Sequence, residues 1–91
     1  MKLNAFELQI IRLPEVMALT GCSRSTIYLK VKQGTLPPPI SLGDRAIGFV
    51  KSEIEKTLIG MISGSSRAEL QVLIGIIVQE RLSLEGVPAY E

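Results

Sequence analysis

The stretch Gly21-Cys22-Ser23-Arg24-Ser25-Thr26-Ile27-Tyr28-Leu29-Lys30-Val31-Lys32-Gln33-Gly34 reads as a tight turn followed by a short helix. Gly21 can adopt a positive φ at no steric cost, Ser23 can cap the free amides of a helix beginning at Arg24, and Gly34 can end it. Ile27 and Val31, four apart, share one face. Ser25, Thr26, Leu29, Lys32 and Gln33 fall on the opposite face, most of which can hydrogen-bond or carry charge. Many surface helices have this form, so the surroundings decide what the helix is for.

Upstream, Leu8-Gln9-Ile10-Ile11-Arg12-Leu13 has the β-branched, partly alternating character of a short strand over 8–13. Residues 1–7 carry no clear signal and are expected to fray. Pro14 suits a first helical turn, Glu15 favours a helix N-terminus, and Leu13, Val16, Met17 and Thr20 fall at helical spacing, which predicts a helix over 14–19. Cys22, in the turn between two helices, reads as a small core residue. Downstream, Pro37-Pro38-Pro39 removes three backbone donors and forces an extended path. Strands over 40–42 and 46–50 follow, with Gly43-Asp44-Arg45 as turn chemistry and a cation near the tip. Ser52 with Glu55 forms a capping-box pattern ahead of an apolar stripe of Ile54, Leu58, Ile59 and Ile62, predicting a helix over 52–62.

Ser63-Gly64-Ser65-Ser66 is a polar break, and Ser66 with Glu69 repeats the capping box at the head of a fourth helix reaching about residue 82. Its apolar residues surround most of the circumference, more surface than a small domain covers from one side. Leu70, Leu73, Ile74 and Ile77 are therefore expected to pack either within the chain or against a second copy. The run is too short to cross a membrane, which takes roughly 20 residues. The tail from Gly86 is uninformative.

The chain has 91 residues, ten Lys plus Arg against nine Asp plus Glu, one cysteine and no histidine. That length allows one small domain with a modest core. The missing histidines and single cysteine leave no His-based acid/base pair, zinc cluster or internal disulfide. No enzyme activity, metal or cofactor is expected, and the lack of a signal-peptide pattern makes the cytoplasm the default. The overall charge suggests no partner, but its distribution does: residues 23–51 hold five basic residues (Arg24, Lys30, Lys32, Arg45, Lys51) and one acid, Asp44. Positive charge is concentrated around the central helix, as a local anion-binding surface requires.

The order helix, glycine turn, polar-faced helix, hairpin with a basic tip predicts a mainly α fold with a small β-hairpin wing. This is a winged helix-turn-helix over 1–62, followed by an additional C-terminal helix and tail over 63–91. On duplex DNA such an arrangement places one helix in the major groove and cations on the adjacent phosphates. Ser25, Thr26 and Leu29 would meet base edges, Leu29 being suited to a thymine methyl. Arg24 would bond guanine or a phosphate, Tyr28 would pack its ring and offer its hydroxyl to a phosphate, and Lys30 and Lys32 would hold backbone. Arg45 would reach phosphate or the neighbouring minor groove.

Arg12-Leu13-Pro14-Glu15-Val16, then Thr20-Gly21-Cys22-Ser23-Arg24-Ser25-Thr26-Ile27-Tyr28, Gly34, and the Pro-rich lead into Ile40-Ser41-Leu42-Gly43-Asp44-Arg45-Ala46-Ile47-Gly48-Phe49 resemble the AlpA family of phage and prophage regulators over residues 11–58. The resemblance implies a MerR-like winged helix-turn-helix that binds DNA to activate transcription or, as a recombination directionality factor (an excisionase), to assist prophage excision. It also implies recognition-helix roles for Ser23, Arg24, Ser25, Thr26 and Tyr28, with Arg45 as the wing arginine. The chain departs from the common family pattern at Leu29, Pro38 and Ser41, where family members often have basic residues, and at Phe49, where tryptophan is frequent. Fewer cations imply a shallower salt dependence. The expected partners are double-stranded DNA, a second copy of the chain, and an integrase, RNA polymerase or a response regulator. A competing expectation is a protein-interaction module that inhibits a regulator or recombinase through its C-terminal helix.

Overall fold

Capping chemistry sets the two helices that carry the central stretch. In the computed structural model, which describes residues 8–83, α1 spans Leu13–Thr20 and α2 spans Arg24–Gln33. Pro14 stands in the first turn of α1, and Gly21 closes that helix at φ 71°, its amide donating to Met17 O at 2.8 Å. At α2, the Ser23 hydroxyl accepts from the Thr26 amide at 3.2 Å. Gly34, at φ 77°, ends the helix, its amide donating to Val31 O at 3.1 Å while the Thr35 amide donates to Lys30 O at 2.9 Å. This paired closure satisfies two carbonyls that the helix itself leaves free.

Strands β1 (Ile10–Ile11), β2 (Ile40–Gly43) and β3 (Ala46–Val50) form one antiparallel sheet in the order β1-β3-β2. β1 is shorter than the strand expected over 8–13. Arg12 already serves as the N-cap of α1, its carbonyl accepting from the Glu15 and Val16 amides, so the strand has to end at Ile11. In the register, Ile11 faces Phe49 and Ile40 faces Gly48, with an irregularity between Ser41 and Gly43. A Cβ on Gly48 would lie 2.6 Å from Ile10 Cγ2 and 2.9 Å from Leu42 Cδ1, so the glycine lets side chains of both neighbouring strands close over β3.

The main core draws on β1, α1, α2, β3 and α3 (Lys51–Ile62), with Leu36 from the segment after α2: Ile11, Leu13, Val16, Ile27, Leu36, Phe49 and Ile54 are buried, and Met17, Cys22, Val31 and Leu58 pack against them. Cys22 thus takes the small-core position expected of it. Helix α4 (Arg67–Glu80) then lies along α3 and ends in a 3-10 turn, Arg81–Ser83. A Cβ on Gly60 would sit 3.2 Å from both Leu70 Cδ2 and Leu73 Cδ2, so glycine allows the two helices to approach closely. Leu70, Ile74 and Ile77 are buried and Leu73 is half-buried. Of these four residues, expected above to pack either within the chain or against a second copy, Leu70, Ile74 and Ile77 are covered by their own chain and Leu73 partly so. α4 leaves Val72, Ile76 and Val78 exposed, at 64%, 51% and 37%, and α3 leaves Ile59 and Ile62 exposed.

An ion pair fixes the end of α4. Arg81 donates from Nε to Glu53 Oε2 at 2.8 Å, and from Nη2 to Glu53 Oε1 at 2.6 Å and Pro38 O at 2.8 Å. One guanidinium so joins the C-terminal turn, the first turn of α3 and the proline segment leading into β2. Hydrogen bonding to the Glu53 carboxylate raises the Arg81 pKa above its ordinary value against partial desolvation, and the group stays charged.

The two capping boxes have different outcomes. At Ser66 the box is formed: the Glu69 amide donates to Ser66 Oγ at 3.1 Å and the Ser66 amide to Glu69 Oε1 at 2.8 Å. At Ser52 it is not, because α3 continues directly from β3, which puts Val50 at the cap position and Ser52 inside the helix. Ser52 Oγ is buried with no hydrogen-bond partner among the described residues. Ser66→Ala is therefore expected to cost about 1 kcal/mol in urea unfolding. Ser52→Ala is expected to leave stability unchanged or raise it by up to about 1 kcal/mol, since it removes an unsatisfied hydroxyl.

Candidate nucleic-acid interface

Only one residue of α2, Ile27, is fully buried. With Val31 half-buried beside it, the helix sits on the core along a narrow stripe, and the opposite face stays open. Ser25 and Lys32 are exposed there, and Leu29 is 52% exposed. Leu29 is left uncovered, and α4 meets the C-terminal end of α2, where Gln71 Nε2 donates to Gln33 O at 2.9 Å. Ser23 and Thr26 are partly engaged within the chain, the Ser23 hydroxyl donating to Thr26 Oγ1 at 2.9 Å. Ser23 therefore serves first as the helix cap; Ser25 carries the exposed hydroxyl of the open face, with the half-buried Thr26 beside it.

Tyr28 and Lys30 flank this face on opposite borders of the helix. Lys30 and Lys32 lie in the last turn of α2, where the helix dipole favours cations. On the Tyr28 side the hairpin brings up the wing. Its tip is Asp44-Arg45, and Arg45 is exposed in the left-handed region at φ 59°, the only non-glycine residue with positive φ among the described residues. That conformation costs an L-residue roughly 1–2 kcal/mol.

Arg24, Tyr28 and Arg45 line one open cleft of about 390 Å3 together with Arg12, Leu13, Pro14 and Ile47. The structure thus gathers three of the expected site residues on one side of α2 and adds a fourth that spacing did not point to. Arg12 lies outside the charge-rich segment, and only the packing of α1 against α2 and β3 brings it alongside. Its sole sequence signal was its place at the head of the Arg12-Leu13-Pro14-Glu15 run.

Helix, turn, helix and wing, with an open polar face on the second helix, define a winged helix-turn-helix protein. Residues 9–58 match the family of the prophage CP4-57 regulatory protein (AlpA), and the chain belongs to that family. It is also 42% identical over 59 residues to the uncharacterized protein ORF88 of Enterobacteria phage P4, a match covering 65% of this chain and 67% of that protein. No solved structure matches the chain. Among the described residues, no helix is long and apolar enough to cross a membrane.

The strained wing tip carries its own test. Arg45→Gly removes the unfavourable conformation together with the guanidinium. Thermal unfolding should show stability unchanged or raised by up to about 1 kcal/mol, whereas any binding of an anionic partner through the wing should weaken.

Proposed function

We propose that this regulatory-family protein is a non-enzymatic, sequence-specific DNA-binding regulator, with α2 in the major groove and the β2–β3 wing on the flanking DNA. The observation that carries this reading is the open face of α2. Ser25, Leu29 and Lys32 are uncovered on a helix whose two ends and one buried side chain are fully used in holding it. A major groove admits one such helix; hydroxyls serve either donor or acceptor edges, and Leu29 suits a thymine methyl. Transcription control and assistance to prophage excision both use this contact, so the proposal covers a repressor, an activator or a recombination directionality factor.

A second reading rests on a separate observation, the exposure of the apolar side chains Val72 and Ile76 on α4 and Ile59 and Ile62 on α3. Here the chain acts by protein contact, with a second copy, an integrase, RNA polymerase or a response regulator, and the winged fold is scaffold. One set of variants separates the two. Under the DNA reading, Arg24→Ala and Lys32→Ala lose activity while Val72→Asp and Ile76→Asp retain DNA affinity; under the protein reading the dependence on each pair is reversed.

Selection of bound duplexes from a random pool at two salt concentrations tests the main reading. An enriched motif is expected at both, and no enrichment at either would remove it. At the selected site Arg24→Ala should cost about 1–3 kcal/mol if the arginine reads a base, with relaxed preference at one position. A uniform loss on all duplexes would assign it to phosphate.

A further inference from the structure

Three arginines from three separate elements converge on the cleft beside α2: Arg12 from the head of α1, Arg24 from the first turn of α2 and Arg45 from the wing. Each is exposed, and none forms an ion pair among the described residues, where the two pairs present are Lys56–Glu80 and Arg81–Glu53. The acids nearest in sequence, Glu15 and Asp44, do not line the cleft. Three like charges are thus gathered around one concavity with no carboxylate to balance them. One of them, Arg45, is held there in a conformation unfavourable for its residue type.

The rest of the lining suits an anionic guest. Leu13, Pro14 and Ile47 supply apolar walls against which arginine stems can lie, and Tyr28 brings a hydroxyl able to donate. Both helices start at the edge of the cleft, so the positive ends of their dipoles add to the arginine charge. Every cation in it is a guanidinium, whose planar fork matches phosphate oxygens two at a time. The cleft lies to one side of the open face of α2, between that face and the wing. On a duplex seated against α2, a group reaching this cleft would come from the backbone and not from a base edge.

We propose that this cleft is a clamp for a single backbone phosphodiester of bound duplex DNA, in which Arg12, on the helix preceding the recognition helix, is a phosphate-binding residue acting with Arg24, Tyr28 and Arg45. The proposal rests on the DNA-binding reading above and adds to it a contact that is indifferent to sequence and fixes the register of α2 in the groove. The Arg12 side chain is exposed and its backbone carbonyl, which caps α1, is untouched by substitution, so the variants should stay folded, as circular dichroism can verify.

Affinity is measured against salt concentration for wild type, Arg12→Ala and Arg12→Lys on a selected and an unrelated duplex. Arg12→Ala should weaken both duplexes alike, by about tenfold or more, and reduce the magnitude of the logarithmic salt slope by about 1. Arg12→Lys should restore the slope but only part of the affinity, having the charge without the fork. Single neutral methylphosphonates placed in turn along each strand should reveal one position that weakens wild type more than Arg12→Ala, since Arg24 and Arg45 still face that phosphate in the variant. If wild type binds duplex while Arg12→Ala keeps its affinity and slope, or no methylphosphonate position distinguishes the two proteins, the clamp is overturned and the DNA reading stands. If wild type binds no duplex at any salt concentration, both fall.

Discussion

The burial of Ile27 is the constraint on which the proposed interface depends. Enclosing that side chain is worth about 1.5–3 kcal/mol, and the Ser23 cap contributes about 1 kcal/mol more. Gly34 finishes the helix by returning two amides to its last carbonyls. A ten-residue helix is too short to be stable alone in water, so these tethers are what make α2 a helix. They need only one narrow face. The outward side chains Ser25, Leu29 and Lys32 are left without structural duties, which is the condition for a surface to evolve toward a ligand.

The C-terminal helix braces this arrangement from behind. Its inner face, Leu70, Ile74 and Ile77, packs within the chain, and its end is held by Arg81 on Glu53 and Pro38 O. A buried pair of this kind contributes little net stability compared with an apolar isostere, but removing one partner leaves a costly unpaired charge. Its structural effect is to fix the proline segment, and with it the base of the wing, relative to α3. The wing and α2 are thus held on a common frame, as the proposed clamp drawing residues from both requires.

The local elements were readable because their signals are local. Gly21, Ser23 and Gly34 fix the boundaries of α2, and the Ser66–Glu69 box fixes the start of α4. The Ser52–Glu55 pattern was misleading for a local reason too: β3 runs straight into α3, so the helix begins before the serine and the box never forms. Long-range relations were not readable. Nothing near Glu53 in sequence announces that Arg81 will bury it, and the apolar circumference of α4 did not say which side the chain itself would cover. Arg12 escaped for the same reason, because its place beside Arg24 and Arg45 exists only after α1, α2 and the wing have packed. The open position of Leu29 likewise required the path of α4 to be known.

The central claim is that the open face of α2, and not the outer face of α4, meets DNA. An iron chelate that cleaves nearby DNA can be attached to a cysteine at either place in a Cys22→Ser background, since Cys22 is the chain's only cysteine. With Leu29→Cys carrying the chelate, cleavage of bound duplex should be confined to a few adjacent positions and arise from the major groove. With Val72→Cys carrying it, the duplex should remain uncut. Cleavage from position 72 with none from position 29, in proteins that still bind, would contradict the account.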